Sequence, residues 1–90
     1  MTHIDHLIRL ANRIGYFFEA MPDRSASLDD IADHIQRFWE PRMRRALLDY
    51  LSLHPDGRQG DTVLSDICQE AIARHRDRLY PQQAASAAGA

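Results

Sequence analysis

Between its prolines this chain repeats apolar residues at three- and four-residue steps, a period that admits helices and little else. From Ile4, the positions Leu7, Ile8, Ala11, Ile14 and Phe18 form one stripe, with Leu10, Phe17 and Met21 along an adjacent face. Together they make an apolar arc wider than one neighbouring helix covers. Pro22-Asp23 stops this helix, because the residue before a proline is driven out of the helical region. A polar loop over 23–27 follows. Ser27 with Asp30 forms a variant capping box that opens a second helix through Leu28, Ile31, Ala32, Ile35 and Phe38. Asp29, Asp30 and Asp33 fall near its start, where the helix dipole favours negative charge.

Pro41 suits the first position of a third helix, where its missing N–H costs nothing. Met43, Ala46, Leu47, Tyr50 and Leu51 share one face of that helix. His54-Pro55-Asp56-Gly57 ends it, and a flexible loop runs on to Gly60. Ser65 is the expected N-cap of a fourth helix, with Asp66 in its first turn and a weaker stripe of Ile67, Cys68, Ala71, Ile72, His75 and Leu79. No strand pattern and no internal repeat stands out. The expectation is all-α: a small compact bundle of about four short helices, forming one domain over residues 1–80. A disordered tail over 81–90 completes it, since PQQAASAAGA offers nothing to bury.

A 90-residue chain buries only about 60% of the surface it exposes unfolded, so its core is thin. Chains of this size lean on disulfides, metals or partners. Cys68 is the single cysteine, and the five histidines never fall into paired ligand spacing, so a partner or good helix packing must supply the stability. The amino terminus has no basic run leading into an apolar stretch, and no segment approaches the length of a membrane span, which makes the cytoplasm the expected location, with no membrane partner. A formal charge of −2 argues against a general nucleic-acid binder, whose affinity rests on neutralising phosphates.

Catalysis finds little support. His3 and His6 flank Asp5 at a helix start, where a solvated turn is the simpler account. Cys68, His34 and His75 lie on or beside apolar stripes and fit half-buried structural positions. No glycine-rich phosphate loop and no nucleophile elbow is present.

The informative stretch is RFWEPRMRR, residues 37–45. Arg42, Arg44 and Arg45 crowd the first turn of a helix, where like charges repel and the dipole disfavours them. Phe38 and Trp39 cannot both face a thin core if the chain turns at Pro41. Aromatics flanked by arginines are the composition of interface hot spots. All 11 basic residues are arginine, whose planar fork suits bidentate contacts at interfaces. Tyr16, Phe17 and Phe18 are consecutive, so at least one of them faces outward or meets another surface. A charged surface with Trp39 closing the small core would account for the same residues.

LIRLANRIGYFFEAMPD (7–23) followed by IADHIQRFWEPRMRRALLDYL (31–51) resembles the delta subunit of the multi-subunit, NAD-dependent formate dehydrogenases. The shared pattern is Ala11, Asn12, Ile14, Phe17 and Phe18, then Phe38 through Arg44, with Glu40 where aspartate is common. The resemblance covers about residues 5–75. It implies a non-catalytic accessory subunit that docks on the large catalytic (alpha) subunit and supports assembly or stability. The larger subunits of such an enzyme carry a molybdenum or tungsten pterin, iron–sulfur clusters and FMN and use NAD, whereas this chain is expected to bind no cofactor. Asn12, Phe17, Phe38, Trp39, Pro41, Arg42, Arg44 and Arg45 are then the expected partner-binding residues. A transient maturation chaperone would need the same kind of face. A helix-turn-helix regulator using the Arg42–Arg45 helix is the alternative from another class.

Overall fold

A computed structural model describes residues 3–81. The first helix, α1 (Ile4–Glu19), buries the stripe its period predicts, through Leu7, Ile8 and Ala11. Gly15 is buried with them.

The second helix departs from expectation at its start. α2 (Arg24–Phe38) begins ahead of Ser27, with Asp23 as N-cap, its carboxylate accepting from the Ala26 N–H at 3.1 Å. Aspartate directly after Pro22 supplies the cap one turn earlier than the serine could. Ser27 is instead buried in the first turn, where its hydroxyl donates to the Phe18 carbonyl at 2.9 Å. The same carbonyl accepts from the Met21 N–H at 3.0 Å, so Ser27 adds a second donor to it and ties the start of α2 to the end of α1. Leu28, Ile31, Ala32 and Ile35 then face the core.

α3 (Pro41–Leu53) starts on its proline as the sequence predicts and buries Leu47 and Leu48, with Met43, Ala46 and Leu51 packed partly against the core. The loop expected to run to Gly60 holds short strands where none was expected. They form an antiparallel hairpin of β1 (Arg58–Gln59) and β2 (Thr62–Val63), Arg58 opposite Val63 and Gln59 opposite Thr62. Gly60, with φ of 60°, takes the first central position of the turn, as a type II′ hairpin requires. The Tyr50 hydroxyl donates to the Arg58 carbonyl, and its ring stacks on His54 with centroids 4.3 Å apart, tying the hairpin to α3. Strands of two residues are too short to show an alternating pattern.

The last helical stretch is also divided. α4 (Asp66–Arg74), N-capped at Ser65, gives way at His75 to the single turn α5 (Arg76–Leu79), which buries Leu79. Along the outer edge of α2 a seam of exposed polar links ties it to these two helices: Arg24 to Glu70 at 2.8 Å, His75 to Asp29 at 2.7 Å and Arg78 to Gln36 at 2.6 Å. Exposed pairs of this kind contribute little individually, so the core does most of the holding.

α1 packs on α2, α3, α4 and β2, while α2 also packs on α4 and α5. A single apolar cluster runs from Leu7 to Leu79. The chain is mostly helical, as expected, with the fourth helix split and a small hairpin added. Among the described residues no helix is long and apolar enough to cross a membrane. The tail expected to be disordered lies, beyond Pro81, outside the described residues.

Candidate docking surface

The structure divides the residues that the sequence marks for partner binding. Trp39 is the clearest departure. Only 6% exposed, it closes the core between α2 and α3, while Phe38 beside it is 70% exposed. The turn at Pro41 therefore sends one aromatic in and the other out. Asn12 is likewise engaged within the chain. Its amide donates to the Val63 carbonyl at 2.9 Å and accepts from the Ser65 N–H at 2.8 Å, bridging α1 to the hairpin and to the start of α4.

Arg44 explains the crowding of arginines that looked unfavourable. Its Nε donates to the Leu79 carbonyl at 2.9 Å, and one terminal nitrogen donates to the carbonyls of Gln36 at 3.0 Å and Trp39 at 3.1 Å. One guanidinium thus serves the carboxyl ends of two helices, α2 and α5, where unpaired carbonyls and the dipole both favour a cation. Lysine, a point charge, cannot span three carbonyls in different directions. Arg44→Lys is expected to lower the unfolding free energy by about 1–2 kcal/mol, read as a lower urea midpoint at unchanged slope. Arg45 is half-buried, and its charge acts on the Tyr80 hydroxyl, which donates to Asp49 at 2.6 Å.

Phe17, Phe38, Pro41 and Arg42 remain on the surface. Of the three consecutive aromatics, Phe18 turns inward and half-buries, whereas Tyr16 and Phe17 are 82% and 61% exposed. Phe17 meets Phe18 edge-on with ring centroids 5.0 Å apart, and the His34 ring tilts onto Phe38 at 4.7 Å. Between the two pairs runs a groove of about 290 Å³ on the α1–α2 surface, lined by Arg13, Ile14, Phe17, Phe18 and His34. Phe38 lies outside the lining but touches the groove's α2 wall through His34, so Phe17, His34 and Phe38 form one aromatic strip from α1 to α2. Arg13 is not singled out by the sequence, and His34 only as the half-buried histidine that it is. The signal available was their spacing, since Arg13–Phe17 and His34–Phe38 are both four residues apart and so share a helix face.

A second, more open hollow on the far side of Tyr16 is lined by Arg9, Asn12, Arg13, Tyr16, Glu19 and Ser65. Within it both ends of the Asn12 amide are hydrogen-bonded and Arg9 pairs with Asp5 at 3.1 Å, while the buried Ser65 hydroxyl is left without a hydrogen-bond partner.

Metal and thiol chemistry find no donor set here. Among the described residues no three of histidine, cysteine, aspartate and glutamate come together to hold a metal ion. Cys68 is buried and donates to the Ala11 carbonyl at 3.0 Å, and burial pushes its thiol up from the ordinary value. A thiol kept protonated in this way is a poor nucleophile and a poor ligand.

The family model described as NADH-dependent formate dehydrogenase delta subunit FdsD matches residues 6–72, most of the chain. The chain belongs to this family. No curated protein and no solved structure matches it. The matched span takes in α1 from His6 onward, α2, α3, the hairpin and most of α4, and so includes both Phe17 and Phe38.

Proposed function

We propose that this chain is a non-catalytic accessory subunit of an NADH-dependent formate dehydrogenase, docking on its large catalytic subunit and supporting assembly or stability. The observation that carries the reading is the exposed aromatic strip of Phe17 and Phe38 on a chain of the delta-subunit family. Large aromatics left in water at this density on so small a surface are characteristic of a face that is covered in an assembly. In this reading the molybdenum or tungsten pterin, the iron–sulfur clusters and the flavin reside in the larger subunits. This chain contributes contact area and no ligands. A DNA-binding role is less well supported, because Arg44 is committed to the chain's own carbonyls and leaves the start of α3 short of one arginine.

Affinity purification of the tagged chain from its host, followed by mass spectrometry and a formate-oxidation assay, tests the proposal. The expected result is the large subunit in stoichiometric amount with activity retained. Recovery of the chain alone would overturn it. Recovery with cofactor-free large subunit only would reassign the chain to a transient role in maturation.

A further inference from the structure

The groove between α1 and α2 has a chemistry that narrows what can fill it. Ile14, Phe17 and Phe18 give it apolar walls, His34 continues them onto α2, and Arg13 is the only ordinarily charged side chain in the lining. Among the described residues Arg13 has no ion-pair partner, whereas Arg9 one turn earlier pairs with Asp5 and Arg37 pairs with Asp33. An unpaired guanidinium beside exposed rings is the arrangement that receives a carboxylate from outside, because its planar fork matches both oxygens.

The walls also fix the backbone of the occupant. Both are helices whose interior N–H and C=O groups are already paired along their own axes. An extended segment would find no strand edge to extend and would leave its own backbone groups unmatched. A helix brings its backbone bonds with it and offers side chains at one-turn intervals, the spacing at which Arg13 precedes Phe17 and His34 precedes Phe38.

We propose that this groove seats an amphipathic helix of the large subunit, one apolar side chain entering between Phe17 and His34 and one carboxylate meeting Arg13. The inference rests on the accessory-subunit reading and adds to it the face, the secondary structure and the charge of the partner segment.

Binding of the full chain to the isolated large subunit, measured at several salt concentrations, tests it. Four proteins are compared: the natural chain, Phe17→Ala, Arg13→Gln, and Leu53→Ala, a similarly exposed residue at the end of α3. Phe17→Ala is expected to weaken binding by about thirty-fold at an unchanged salt dependence. Arg13→Gln is expected to weaken it by about ten-fold and to flatten the salt dependence. Leu53→Ala should bind as the natural chain does. Helical circular dichroism should be unchanged throughout, since all three side chains face solvent. If the natural chain fails to bind, the accessory reading falls and this inference with it. If it binds and Phe17→Ala and Arg13→Gln bind equally well, the groove is empty in the complex and only this inference falls. An Arg13→Gln variant that is weakened but keeps the natural salt dependence also overturns it, because no carboxylate then meets Arg13.

Discussion

Trp39→Ala is expected to lower the unfolding free energy by about 3–5 kcal/mol, the usual cost of deleting a buried aromatic ring. Ile35, Leu47, Leu48, Ile72 and Leu79 share with Trp39 the lining of a residual void of only about 10 Å³, too little for these neighbours to have closed further. Removing the indole would enlarge that void by most of a side chain. Small domains hold only about 5–15 kcal/mol in total, so this loss is a large share of the stability and should lower the urea midpoint markedly. Urea titration followed by circular dichroism reads the effect. Phe38→Ala, one residue away and in water, should stay within about 0.5 kcal/mol of the natural chain. A Trp39→Ala protein with the natural midpoint would place the ring outside the core. The comparison also governs how association data are interpreted, because any loss of partner binding in Trp39→Ala follows from unfolding before it reports on a contact.

Gly15→Val should cost about 3 kcal/mol, the upper end of what overpacking usually costs. Here α4 crosses α1 so closely that a single added carbon would overlap the Cys68 sulfur, and it would stand 3.1 Å from the Ile67 side chain. Cys68 cannot retreat easily, being buried and bonded to the Ala11 carbonyl. The strain therefore concentrates on one contact, and Cys68→Ala should relieve part of it. In a double-mutant cycle the two substitutions should couple favourably by about 1 kcal/mol or more. Thermal midpoints of both single variants and the double measure this. Additive effects would show that the two residues do not meet.

The helices were legible because their apolar stripes are long and their stops are chemical: Pro22 ends α1, Pro41 begins α3, and Ser65 precedes α4. The start of α2 was misplaced because two residues compete for the cap. Ser27 with Asp30 matches a capping motif in sequence, but Asp23 reaches the Ala26 N–H in space. The hairpin carried no period to detect, and Gly60 is informative only once its φ is known. Among the candidate docking residues, Phe17 and Phe38 stand where the crowding of consecutive aromatics required an outward member. Trp39, Asn12 and Arg44 were harder to place. Their partners are a core assembled from distant segments and backbone carbonyls up to 51 residues away, which no local pattern encodes. Arg44 breaks a rule at the start of α3 while completing the ends of α2 and α5, so its role appears only after the three are packed.

That late closure has a consequence for the order of events in the cell. Among the described residues, six of the sixteen buried apolar ones, Leu64, Ile67, Cys68, Ala71, Ile72 and Leu79, lie in residues 64–79, which are synthesised after the first three helices. At translation rates of about 5–20 residues per second, the first three helices emerge with their inner faces still open. Until Leu79 arrives, Trp39 lacks part of its enclosure and Arg44 lacks one of its three acceptors. The bond from Arg44 to the Leu79 carbonyl therefore closes after the segments that carry Trp39 and Arg44 have emerged.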